Sequence, residues 1–123
     1  MTTPPGLEIE RDGQILLARL EGDVDLSCVD ALRASLLASV DNRDMGLVID
    51  LTAASYLDSA GINMLFDLAE SLGRRQIQLA AVVPEGGIVA RVASLVDLGS
   101  ALPVHRSAEA AVTALEKRPG APG

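Results

Sequence analysis

Aromatic side chains are almost missing from this chain: Tyr56 and Phe66 stand alone, and there is no tryptophan. Cations are outnumbered too, ten Lys and Arg against seventeen Asp and Glu, for a net charge of -7. A nucleic-acid surface needs clustered positive charge and stacking rings, so no nucleic-acid partner is expected. A single cysteine, Cys28, cannot close an internal disulfide, and with the single histidine, His105, it leaves too few soft ligands for a structural zinc. No run of acidic residues follows the spacing of a calcium loop, so the expectation is no metal. No apolar stretch approaches the ~18 to 20 residues of a membrane span. The opening MTTPPG lacks the basic and apolar regions of a signal peptide. Together with the unpaired cysteine, this makes the cytoplasm the expected compartment.

What is present is enough for a core. Hydrophobic residues make up 49% of the 123 positions, which suits one globular domain of ordinary size. Pro4, Pro5 and Gly6 at one end, and Arg118-Pro119-Gly120-Ala121-Pro122-Gly123 at the other, read as short disordered tails over 1–6 and 118–123, with the domain over 7–117. Leu7, Ile9 and Arg11 alternate with Glu8 and Glu10, Asp12-Gly13 signals a turn, and 15–20 is a second apolar run, so the chain opens with a β-hairpin.

Ser27 followed by Asp30 has the spacing of a capping box, and Val29, Leu32, Leu36, Leu37 and Val40 recur with helical period, which predicts a helix over 27–41. The run at 47–51 reads as a buried strand leading into a loop before Ser59. Ile62, Leu65, Phe66, Ala69 and Leu72 predict a second helix over 59–72, with Gly73 placed for a left-handed C-cap. A strand over 77–83, a loop over 84–87, a helix over 88–98 stopped by Gly99, a short strand at 104–105 and a helix capped by Ser107 complete the pattern. Strands alternating with helices imply an α/β fold with a mainly parallel, mixed sheet, an N-terminal hairpin and about four helices.

The segment Tyr56-Leu57-Asp58-Ser59-Ala60-Gly61 joins strand to helix, which puts Ser59 in the first helical turn beyond the carboxyl end of a strand. Ligands and partners of open α/β sheets bind at that edge, and the free amides and dipole of a helix start favour a negative group. Asp58 or Ser59 is equally well placed as a simple N-cap for the amides near Gly61. A nucleophilic serine hydrolase would need a GxSxG elbow and a histidine with an orienting acid, and neither is found, so no enzyme activity is expected. The chain also lacks a P-loop and a GxGxxG fingerprint, which leaves nucleotide binding without a motif and no cofactor expected.

The string LVIDLTAASYLDSAG, residues 47–61, resembles the signature of STAS domains, the family that includes bacterial anti-sigma factor antagonists. Leu20-Glu21-Gly22-Asp23-Val24-Asp25 is similar to the family's loop before the first helix, and the resemblance covers roughly residues 7–117. Relatives often continue with a second serine and Gly-Leu-Gly, where this chain has Ala60 and then Gly61-Ile62-Asn63.

The resemblance implies partner switching: the unmodified protein binds an anti-sigma factor kinase, and phosphorylation of the serine after the motif's aspartate, here Ser59, ends that binding. A phosphatase would be a further partner. Asp23, Asp25, Ser27, Asp58, Ser59, Ala60, Gly61 and Met64 are the expected partner-binding residues. In that reading Gly61 lets a partner backbone come close. Met64 is either a contact residue or, with Leu68, the flank of a wide buried stripe. Asp23 and Asp25 are equally ordinary as solvated loop or cap residues. The alternative function is a STAS module that is not phosphorylated and serves as a regulatory or structural subunit of a larger assembly.

Overall fold

Alternating residues at the N-terminus become a hairpin in the computed structural model, which describes residue 4 and residues 6–117. Strand β1 (Leu7–Asp12) runs antiparallel to β2 (Ile15–Leu20), with Leu7 opposite Leu20 and Asp12 opposite Ile15. Gly13 takes a φ of 61° at the first loop position, where a tight two-residue hairpin favours glycine. The chain continues through β3 (Gly22–Val24), α1 (Val29–Ser39), β4 (Gly46–Asp50), β5 (Ala54–Leu57), α2 (Ser59–Gly73), β6 (Gln78–Val82) and α3 (Gly87–Leu95). A 3-10 turn at Leu98–Ser100, β7 (Val104–His105) and α4 (Ala108–Glu116) follow. Apart from Pro4 and Gly6, the expected tails lie outside the described residues.

The main sheet has the order β1-β2-β4-β6-β7, antiparallel between β1 and β2 and parallel thereafter. Every residue of β4 is buried, because a parallel strand at the centre of a sheet is covered on both faces. On one face, Leu16, Ala18, Leu47, Ile49 and Leu79 pack against Leu32 and Leu36 of α1, Leu65, Leu68 and Leu72 of α2, and Val89 and Ala93 of α3. On the other, Ile15, Val48, Ala80 and Val82 meet Ala111 and Leu115 of α4. The result is a single α/β domain with a mixed sheet and four helices. Among the described residues, no helix is long and apolar enough to cross a membrane.

Several boundaries differ from expectation for local reasons. Helix α1 starts at Val29, not at Ser27: the Ser27 hydroxyl donates to Asp25 Oδ1 at 2.5 Å and caps nothing. Gly73 is the last helical residue of α2, not its left-handed cap; the C-cap Arg74 stays right-handed and the positive φ, 60°, falls on Gln76. Helix α3 stops before Gly99, at Leu95, because Asp97 takes a left-handed φ of 53°. That break turns Leu98 inward, where it is fully buried.

The feature with most bearing on function is a second sheet where only loops were expected. Strands β3 and β5 pair in parallel, with Asp23 opposite Tyr56 and Val24 opposite Leu57. Val24 and Leu57 are buried in the larger core, while Asp23 and Tyr56 face outward.

Candidate functional site

Beyond the ends of β3 and β5, the chain enters α1 and α2 through two short connections that share one carboxylate. Asp58 is the N-cap of α2: its Oδ1 accepts from the Gly61 amide at 2.9 Å, satisfying a donor that the helix itself cannot. Its other oxygen, Oδ2, accepts from the Leu26 amide at 3.3 Å, and its own amide donates to the Val24 carbonyl at 3.2 Å. One residue therefore ties the start of α2 to β3 and to the connection before α1.

That connection is stiff. Asp25 Oδ1 accepts from the Ser27 amide at 3.0 Å as well as from the Ser27 hydroxyl. The Asp25 carbonyl accepts from the amides of Cys28 and Val29 at 3.1 and 3.2 Å and from Cys28 Sγ at 3.4 Å. Side chains of this kind, bonding backbone two residues on, hold a turn in the absence of regular structure.

Ser59 is the first residue of α2 and is exposed. With the cap supplied by Asp58, its hydroxyl carries no structural bond, and among the described residues it is hydrogen-bonded to no side chain that could act as its base. The amides of the first turn and the helix dipole stand beside it. Among the described residues, none of the Asp23, Asp25 and Asp58 carboxylates is held in an ion pair. Arg33 of α1 is engaged elsewhere, meeting Asp30 at 3.3 Å and Asp67 of α2 at 3.4 Å.

The fold thus gathers Asp23, Asp25, Ser27, Asp58 and Ser59 at one edge, with Ala60 half-buried behind Ser59. Two expected contact residues are not available there. Met64 has no exposed surface, because α2 packs against both the sheet and α1 and buries a stripe that takes in Ile62, Met64, Leu65, Leu68 and Leu72. Gly61 is buried as well, and the backbone it admits is the chain's own. A Cβ there would lie 2.8 Å from the Val24 carbonyl oxygen and 2.6 Å from Leu57 Cδ1. Conversely, Leu26 is 76% exposed and Tyr56 41% exposed at this edge. A lone leucine in a loop carries no periodic signal, so nothing in the sequence marks it.

The groups with displaced titration lie at the other end of β4. The Asp41 carboxyl is held below its ordinary value by the Arg43 amide that donates to it, with the Arg43 and Arg11 charges adding to the effect. The Arg11 guanidinium is pushed up by its paired hydrogen bonds to buried Asp44. Among the described residues, no three His, Cys, Asp or Glu side chains converge as a metal set would.

A model of the STAS domain matches residues 6–111. A Bordetella bronchiseptica protein named as a candidate anti-sigma factor antagonist, BtrV, is 32% identical over 111 residues, covering 89% of this chain and 94% of that protein. Among solved structures, an anti-sigma factor antagonist from Mycobacterium paratuberculosis superposes with a TM-score of 0.77 at 25% identity, covering 94% of this chain and all of that one. The anti-sigma factor antagonist SpoIIAA in its unphosphorylated form aligns with a TM-score of 0.68 at 16% identity, covering 91% of this chain and 99% of that one. The phosphorylated form of SpoIIAA, from Bacillus, aligns with a TM-score of 0.53 at 16% identity, covering 89% of this chain and 98% of that one. The SpoIIAA likeness is one of fold.

Proposed function

The chain belongs to the STAS domain family, and from that premise we propose that it is an anti-sigma factor antagonist that binds an anti-sigma factor kinase and is released by phosphorylation of Ser59. It acts by binding, in the cytoplasm, and is itself no enzyme. The observation that carries the reading is the division of labour between neighbours: Asp58 caps α2 and leaves the Ser59 hydroxyl exposed and unbonded. A hydroxyl that held the helix start would be lost to the fold on modification; this one is free to react.

In the transfer step the Ser59 oxygen forms a bond to the γ-phosphorus of the kinase's nucleotide. The bond to the bridging oxygen breaks, ADP leaves, and the hydroxyl proton passes to a base of the kinase. The product carries about -1.5 to -2 charges and three acceptor oxygens. It faces the phosphates that remain on the spent nucleotide, and it must be desolvated if the surface stays closed. The helix start tolerates it, because the first-turn amides and the dipole favour an anion. Binding is lost while the domain stays folded. A phosphatase then restores the hydroxyl.

The test is intact-mass analysis of the full chain after incubation with ATP and each purified anti-sigma factor kinase of the source organism, with Ser59→Ala as control. One added phosphate, absent in the variant, is the expected outcome. Ser59→Ala should hold the kinase constitutively, and Ser59→Asp should bind on the order of tenfold more weakly, a difference of ~1.4 kcal/mol. Equal binding by the two variants would sink the switch. Stable complexes without phosphate on any kinase would favour a STAS subunit that is not phosphorylated.

A further inference from the structure

Leu26 leaves 76% of its surface in water in a protein whose other leucines mostly fill the cores. Single exposed leucines are common on protein surfaces, so exposure alone says little. The setting of this one is unusual. Its amide donates to Asp58 Oδ2 at 3.3 Å, the carboxylate whose other oxygen caps the helix that begins with Ser59. The next residue, Ser27, is fixed through both its amide and its hydroxyl to Asp25, and Cys28 Sγ donates back to the Asp25 carbonyl. A loop pinned from both sides has little freedom left to lose on association, and such preorganised apolar side chains carry a disproportionate share of binding energy.

The charges nearest to Leu26 in the chain are of one sign. Asp23, Asp25 and Asp30 lie within four residues of Leu26 in the chain, Asp58 is bonded to it, and Asp23 and Asp30 are exposed. Arg33, the cation closest on α1, is engaged by Asp30 and Asp67.

We infer that Leu26 is the apolar anchor of the kinase interface. The surface it enters is a small apolar pocket on the kinase rimmed by Arg or Lys side chains, one of which pairs with the exposed carboxylate of Asp23. The inference rests on the reading of Ser59 as the switched residue and adds what holds the two proteins in register. Asp58 acts as a strut of fixed length between the anchor and the acceptor hydroxyl. Once Leu26 is seated, Ser59 is presented to the nucleotide in one position. A cation of the pocket rim meets Asp23 near the anchor, and the nucleotide's phosphates meet Ser59. Phosphorylation therefore opposes binding although the patch around Leu26 is itself acidic.

The experiment is a binding titration of the full chain against the anti-sigma factor kinase that phosphorylates it, comparing wild type with Leu26→Ala. The control is Leu95→Ala, because Leu95 is an equally bare leucine, 79% exposed at the end of α3. Leu26→Ala should weaken binding at least tenfold, with unchanged urea unfolding, and should raise KM for Ser59 phosphorylation while kcat holds. Leu95→Ala should do none of this, and wild-type affinity should fall as salt is raised. Wild-type affinity in Leu26→Ala, toward a kinase that still modifies Ser59, would overturn the anchor and leave the switch standing. Affinity that is indifferent to salt would remove the cationic rim. A wild-type chain bound by no kinase would overturn the switch and the anchor together.

Discussion

Asp58 and Ser59 are adjacent and carry opposite burdens. The Asp58 carboxylate takes one amide from α2 and one from the loop before α1, while the Ser59 hydroxyl takes none. Removing the first should therefore cost stability and removing the second should not. Asp58→Ala is expected to lower unfolding free energy by ~1 kcal/mol or somewhat more, the usual cost of a lost N-cap plus a second orphaned amide. Ser59→Ala should unfold in urea with the wild-type midpoint. Equal losses in the two variants would mean that Ser59 shares the cap. A cap at Asp58 or Ser59 ahead of a periodic apolar run was readable from the chain alone, but which of the two supplies it was not, since both residue types accept from helix amides. Ser27 is no cap, because Asp25, two residues earlier, accepts from both its amide and its hydroxyl and holds it in the turn before the helix, where its oxygen accepts from no helix amide. Leu26 was not readable at all, since its importance depends on a hydrogen bond to a residue thirty-two positions away.

Between elements, the crossing of β3 over the first turn of α2 is the tightest joint near the site. Gly61→Ala would set a methyl 2.8 Å from the Val24 carbonyl oxygen, which is backbone and cannot swing aside, and 2.6 Å from Leu57 Cδ1. The expected cost is about 1 to 3 kcal/mol, seen as an earlier urea transition, together with weakened kinase binding because β3 and the Leu26 loop move with it. The large elements on either side were legible from periodicity, and the hairpin and the strand at 47–51 emerged close to their expected bounds. The β3–β5 pair was not, because three- and four-residue strands are too short to display alternation. What defines them is the pairing of Val24 with Leu57 across more than thirty residues of chain. Met64 was ambiguous for a related reason: a helix stripe gives the direction of one neighbour, and α2 has two, the sheet and α1.

Across the whole molecule, the sheet is sealed on both faces, and its far end is locked by charge. Arg11 of β1 bonds both oxygens of Asp44, a side chain that is almost wholly buried and also accepts the Asp41 amide at 2.7 Å. Asp44→Ala should destabilise by ~1 to 3 kcal/mol by leaving those donors unpaired, without altering Ser59 phosphorylation. The pH dependence follows from neighbouring Asp41, whose folded-state value is lowered. Its contribution is present above the ordinary carboxylate range, near pH 4, and is lost as pH falls through the folded value. Asp41→Asn should accordingly lose less stability than wild type between neutral pH and about pH 3 in thermal melts. The raised Arg11 value has no counterpart in that range, since a cation's contribution disappears only in strong base.

The bare hydroxyl of Ser59 has one more consequence, in the economy of the cell. Proteases sample a protein through its transiently opened forms, and their rate follows the folding equilibrium. A modification that breaks no bond of the fold, at a helix start that favours its charge, does not enlarge the opened population, so the phosphorylated form of the proposed switch would be cleared no faster than the other. The inactive form would then persist until a phosphatase acts on it, and would not be removed by turnover.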